Sequence, residues 1–171
     1  MTGERVVLAL DPSSTVVGYG VLTMSRDLVE AGLCTPMDRH SCSAARVMEL
    51  CDDVEALLSR IEPSVVLVEW TRGKVGRRHQ GRGAGLAVYG AGVGAVLRQV
   101  WLWARDEQAY GRPVTVEAVA ENDWTRGVPK ATRALAIRQL YPALAAQQDP
   151  GYDMHDAVGL ADWWLRNRLV R

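Results

Sequence analysis

Four carboxylates in this chain stand where acidic residues can act together. Asp11 closes the apolar run Arg5 to Leu10 (RVVLAL), and Glu69 closes the run Ser64 to Val68 (SVVLV). Both runs are short and rich in β-branched residues, the pattern of buried strands. Strand carboxyl ends are where open α/β sheets hold their sites. Asp153 and Asp156 lie three residues apart where a C-terminal helical pattern begins, so they share one helix face. If that face meets the strand ends, four negative charges converge, and like charges a few ångströms apart resist joint ionisation. Divalent cations resolve the conflict. Oxygen donors suit Mg²⁺, with Mn²⁺ able to substitute. Two such ions, roughly 3.5–4 Å apart, can activate a water and stabilise the leaving oxygen in phosphodiester hydrolysis. Taken singly, each acid also has an ordinary reading, as a turn residue or as a helix cap.

The elements that must position these acids follow from hydrophobic spacing. Val17 to Thr23 (VGYGVLT) and Leu28 to Cys34 predict two more strands, joined to the first by short polar connections as an antiparallel meander. Ser43 to Arg60 carries apolar residues at 44, 47, 48, 50, 51, 54, 57 and 58, which is helical spacing with an acidic opposite face. The near-continuous apolar run before Glu69 suits a strand covered on both sides. A Gly- and Arg-rich stretch then leads into a helix of small residues, about Gly85 to Ala104. Pro113 to Val119 alternates as a strand, and Lys130 to Leu140 and Asp153 to Arg168 read as two closing helices. The expected fold class is α/β, with a five-stranded mixed sheet of three antiparallel strands and then two parallel ones. Helices should flank both faces. One domain over residues 1–171 is expected, since no internal repeat or linker composition interrupts the pattern.

Net charge is zero, but its distribution is uneven. Between Trp70 and Arg105 there are seven basic residues (Arg72, Lys74, Arg77, Arg78, Arg82, Arg98 and Arg105) and no acid. Between Leu28 and Glu69 eight acids face three arginines. One surface is thus basic and another acidic. A basic loop beside the proposed acids supplies sequence-independent affinity for a phosphate backbone through counterion release. No window reaches the roughly 18 apolar residues of a membrane span, and the polar start lacks a signal-peptide layout, so a cytoplasmic location is expected. Cys34, Cys42 and Cys51 form no CxxC pair and read as reduced thiols. His40, near Cys42, has no zinc-type spacing around it and reads as a loop residue. His79 in the basic loop has no assignable role.

Three blocks carry a resemblance. The segment Asp11-Pro12-Ser13-Ser14-Thr15-Val16-Val17-Gly18-Tyr19-Gly20 is similar to the opening motif of the RuvC family of Holliday-junction resolvases. Val65-Val66-Leu67-Val68-Glu69 resembles the family's strand with its catalytic glutamate, and Asp153-Met154-His155-Asp156-Ala157 resembles its closing motif. The blocks come in family order and cover nearly the whole chain. The resemblance implies a ribonuclease H-like fold in which Asp11, Glu69, Asp153 and Asp156 are metal-binding catalytic acids. It also implies a homodimer that cuts two strands of a four-way junction, a crossover junction endodeoxyribonuclease. Lys130, after a Gly-Val-Pro turn, resembles the family's important lysine and would help neutralise charge at the scissile phosphate. Two departures stand out. Ser13 replaces a turn glycine, and Trp70 follows Glu69 at once where the family places an aromatic a few residues on. Trp70 can stack on a base or belong to the core. The loop holding Arg72, Lys74, Arg77, Arg78 and Arg82 is more basic than in typical members. It is expected to bind DNA, and the divergence resembles that of phage-type members, some of which act on branched DNA more broadly than on four-way junctions.

Other readings stay open at this level. Gly83, Gly85, Gly90, Gly92 and Gly94 form no GxGxxG and come too late after the strand for a dinucleotide turn. Gly90 and Gly94, with Ala87, Ala91 and Ala95, instead line a helix face suited to packing on the sheet or on a partner helix. Trp101, Trp103, Trp163 and Trp164 read as core or interface residues, with one ring of each pair able to face solvent. His155, between two candidate acids, reads as structural or as a metal contact. The acids alone also fit an RNA-processing nuclease of the same fold or a non-catalytic branched-DNA-binding module. A two-domain sugar-kinase-like ATPase would need a longer chain.

Overall fold

A computed structural model describes residues 5–37, 42–70 and 83–168. Alternation within the strands builds a sheet with two apolar faces. The strands are β1 (Val6–Pro12), β2 (Val17–Thr23), β3 (Leu28–Cys34), β4 (Val65–Trp70) and β5 (Thr115–Ala120), in the order β3-β2-β1-β4-β5. β1–β2 and β2–β3 pair antiparallel, and β1–β4 and β4–β5 pair parallel. This is the expected five-stranded mixed sheet.

Odd-numbered residues of β1 and β4 (Val7, Ala9, Val65, Leu67) face one core, built with Ile137 of α4 (Lys130–Leu140) and with Met154, Val158, Ala161 and Leu165 of α5 (Asp153–Arg168). Even-numbered residues (Leu8, Leu10, Val66, Val68) face the other. There they meet Leu50, Val54 and Leu58 of α1 (Ser43–Ile61) and Val96, Val100 and Trp103 of α2 (Gly83–Ala109). No described helix is long and apolar enough to cross a membrane. The three cysteines are free thiols.

Several boundaries differ from the hydrophobic reading, and the differences matter for the site. β1 runs on through Asp11 and Pro12 because both stay paired to β2, opposite Gly18 and Val17. Pairing with β4 has already ended at Leu10, so the missing Pro12 N–H breaks no ladder on that side. β4 likewise continues through Glu69 and Trp70, which pair with Val119 and Ala120. α2 is longer than its small-residue stretch suggested. The short helix α3 (Glu121–Thr125) and a 3-10 turn at Pro142–Ala146 carry no periodic signal and were not expected. The basic residues Arg72, Lys74, Arg77, Arg78 and Arg82, together with His40 and His79, lie outside the described residues.

Candidate active site

The sheet brings the first two acids together by arithmetic. Asp11 is four residues after Val7 and Glu69 four after Val65, so each continues the odd-numbered face. Leu10 is in register with Val68, which sets Asp11 and Glu69 side by side at the carboxyl edge of two neighbouring parallel strands. The same face receives α5, and two glycines let it come close. Gly18 pairs with Asp11 and Gly20 with Ala9 on β2. A Cβ at Gly18 would collide with the backbone of Asp153 and Met154, and one at Gly20 would lie 2.6 Å from Val158 Cγ2. The Gly-Tyr-Gly segment therefore acts here through absent side chains, which seat the helix carrying Asp153 and Asp156 against the strands. Gly18→Ala is expected to push α5 off β2, at a cost of roughly 1–3 kcal/mol. Urea denaturation measures that loss directly.

Lys130, the first residue of α4, completes the cluster. Its ammonium donates to Asp11 Oδ2 at 2.8 Å and to Asp153 Oδ1 at 2.8 Å, and lies 3.3 Å from Asp156 Oδ2. One turn along α4, Arg133 grips Asp156 with both arms, Nε to Oδ1 at 2.9 Å and a terminal nitrogen to Oδ2. The Arg133 guanidinium sits 5.0 Å from the ring centroid of Trp124 on α3, and Trp124 Nε1 donates to Glu69 Oε2 at 2.8 Å. Each of the four acids thus has a defined partner.

Burial governs their protonation. Asp11 and Glu69 are 5% and 6% exposed. Burial pushes the Asp11 carboxyl up to about 7; Lys130 pulls against this, while Asp153 and Asp156 add to it. Burial, followed by the charges of Asp11 and Asp156, pushes Glu69 up to about 9, against the pull of Lys130 and Trp124. For Lys130 burial disfavours the charge, but contact with Asp11 and Asp153 outweighs it and holds the ammonium firmly protonated. With all four acids ionised the cluster would carry more buried negative charge than Lys130 and Arg133 balance, so full ionisation calls for further cation.

The donor chemistry fits hard divalent ions, with oxygen ligands from two strands and a helix. Among the described residues no group of three or more His, Cys, Asp or Glu side chains is yet arranged around a common metal position. Where such a group would converge, Lys130 Nζ stands between Asp11 and Asp153.

The first turn of α5 has its own support. Asp149, 5% exposed, accepts the backbone N–H of Asp153 through Oδ1 and that of His155 through Oδ2, both at 3.0 Å. His155 is completely buried, with Nδ1 2.6 Å from Asp149 Oδ2 and Nε2 accepting from Arg138 Nε at 2.9 Å. Both ring nitrogens are engaged, so His155 is a structural residue here. Arg133, Trp124, Asp149 and Arg138 escaped the sequence reading. Arg133 and Arg138 had a signal available, because basic residues three and eight positions after Lys130 recur near one helix face. Trp124 had none, since it acts across a tertiary contact, whereas Asp149 stands just before the helical pattern, where an Asp can accept N–H groups of the first turn.

Other expected residues fall into place as follows. Trp70 ends β4 at 38% exposure, and strand alternation sends it to the face opposite Glu69. Trp101 is exposed while Trp103 is buried, and Trp164 is buried while Trp163 is only partly so. On α2, Ala87, Gly90 and Ala91 are exposed and a Cβ at Gly90 or Gly94 would meet nothing, so that stripe does not pack on the sheet. Gly92 makes the close approach instead: a Cβ there would lie 2.9 Å from the Ser13 carbonyl oxygen.

No sequence-family model matches the chain, and no curated protein matches it significantly. Solved structures do. RuvC of Thermus thermophilus, in a structure described as a complex with Holliday junction substrate, superposes with a TM-score of 0.69 at 20% identity, covering 96% of each chain. A second Thermus thermophilus RuvC structure gives 0.68 at 20% identity over 97% of each chain. The fowlpox virus Holliday junction resolvase gives 0.56 at 12% identity, covering 95% of this chain and 99% of that one. Likeness at such low identity is likeness of backbone, and it extends over nearly the entire length of each protein. The chain has the ribonuclease H-like fold in the form adopted by the RuvC Holliday-junction resolvases.

Proposed function

We propose that this protein is a metal-dependent, structure-selective DNA endonuclease that resolves four-way junctions or closely related branched DNA. The observation that carries the reading is the meeting of Asp11, Glu69, Asp153 and Asp156 around Lys130 at the carboxyl edge of a RuvC-like sheet. Asp11, Glu69, Asp153 and Asp156 would hold the metal, with two ions per site. When bound, Mg²⁺ supplies the charge that activates a water and stabilises the leaving oxygen. The chain's own residues do the rest. Arg133 and Trp124 hold Asp156 and Glu69 in fixed orientations, and Asp149 fixes the start of α5. Lys130 provides a cation for the scissile phosphate. Trp70 and the basic residues Arg72, Lys74, Arg77, Arg78 and Arg82 supply stacking and phosphate contacts.

Two cuts across a junction need two sites, so the working unit is a homodimer. The exposed stripe Ala87, Gly90 and Ala91 with Trp101, 57% exposed, on one long helix is the surface offered to a second copy. The test is a panel of labelled substrates: a four-way junction, a flap, linear duplex and an RNA–DNA hybrid, with Mg²⁺, Mn²⁺ or EDTA. Cleavage of the junction in preference to linear duplex, lost in EDTA, is expected. Preference for the hybrid would move the protein to RNA processing.

A further inference from the structure

We propose that Lys130 is a displaceable counter-ion: its ammonium holds the place among the carboxylates in the metal-free protein and gives it up on metal loading. The inference rests on the metal-dependent reading above. Geometry carries it. An ammonium has three donors, and three carboxylates surround this one: Asp11 Oδ2 and Asp153 Oδ1 at 2.8 Å and Asp156 Oδ2 at 3.3 Å. Those are the oxygens a divalent ion would need. An ion seated among those three oxygens would stand where the ammonium stands, so one excludes the other from that position.

The two protein cations of the site differ in freedom. Arg133 is fixed, its side chain 9% exposed, bidentate on Asp156 and lying over Trp124. The Lys130 side chain is 37% exposed and sits at the N-terminus of α4, where the helix dipole disfavours a cation. Among the described residues, the carboxylates are what hold it inward. Once those charges are neutralised, the ammonium is free to swing outward on its flexible stem. Being partly exposed already, it would then be available to a phosphate, so the residue would serve the empty and loaded sites in turn.

The signature is a pair of opposite effects. Removing a competing cation should tighten metal binding even as it removes a group useful for cleavage. Mn²⁺ binding to the full-length chain is measured by calorimetry for wild type and Lys130→Met. The variant is expected to bind about tenfold more tightly, yet to cleave more slowly. Equal or weaker binding by Lys130→Met, with wild type binding normally, overturns the counter-ion proposal and leaves the metal-dependent reading intact. Failure of both proteins to bind Mn²⁺ overturns both. A second readout avoids substitution altogether. The chain has only two lysines, Lys74 and Lys130, so its side-chain ammonium NMR spectrum is readily assigned. The protected ammonium resonance of Lys130 is expected in EDTA and should be lost or shifted as Mg²⁺ is added. A resonance unchanged at saturating Mg²⁺ overturns the proposal.

Discussion

Asp11→Asn is expected to abolish cleavage of branched DNA and, without metal, to raise the melting temperature above neutral pH. The two effects share one cause. Asp11 is buried beside three other acids, and its carboxyl is pushed from 3.8 to about 7, chiefly by burial. Between those values the unfolded chain releases a proton that the folded chain retains. Stability is therefore full below about pH 4 and falls as pH rises through 7. Glu69, raised from 4.5 to about 9, extends the fall into alkaline solution. Asparagine keeps the shape and an acceptor for Lys130 but cannot ionise, so the Asp11 share of the decline vanishes.

In EDTA at pH 8 the gain is expected to be about 1–3 kcal/mol, shrinking towards zero at pH 4. Cleavage should drop by roughly 10³-fold or more, because a proposed metal ligand at the centre of the charge cluster is gone. Calorimetric melting across pH, paired with a junction-nicking assay, reads both. Retained cleavage, or a variant that melts lower than wild type at pH 8, would contradict the account.

The second large effect is expected from Asp149→Ala, whose side chain meets the start of α5 and His155 rather than the carboxylates of the cluster. Its carboxylate satisfies two N–H groups of the first turn of α5 and the Nδ1 of the buried His155. Alanine leaves all three without their partner, two of them on the fully buried His155, a loss of about 3–5 kcal/mol. The denaturant midpoint should fall without change in slope, since no different surface is exposed on unfolding. Asp149→Asn keeps one acceptor oxygen and should recover part of the stability. Asp153 and Asp156 ride on that turn, so kcat should fall in the folded fraction of Asp149→Ala and recover partly in Asp149→Asn. A variant as stable as wild type would mean that α5 is held by packing alone.

Much of the frame was legible in the residues. The β-branched runs ending in Asp11 and Glu69 became neighbouring parallel strands, because period-two alternation and full apolarity dictate both strand and burial. The three-residue spacing of Asp153 and Asp156 placed both at the start of α5, as helical geometry requires. What was not legible lies in contacts between distant segments. Trp124 reads as one more core aromatic until β5 and α3 bring its indole N–H to Glu69. Arg133 reads as a solvated helix residue until α4 packs on α5 and Asp156 claims both its arms. His155 invited a metal role by sitting between two acids, but Asp149, just before the helix, and Arg138 on α4 take both ring nitrogens. The small-residue face of α2 fitted the sheet or a partner helix equally well by pattern. Only the packing of Gly92 on the Ser13 turn shows that the Gly90 and Gly94 side turns outward.

The central claim is that this acid cluster hydrolyses phosphodiesters at a DNA branch point. The most direct measurement is product mapping on a four-way junction labelled in each strand in turn, incubated with the intact protein in Mg²⁺. The account predicts paired nicks at symmetric positions in two opposing strands. Tight binding of the junction with every strand left intact in Mg²⁺ and Mn²⁺ would contradict it, leaving a protein that recognises branched DNA without cutting it.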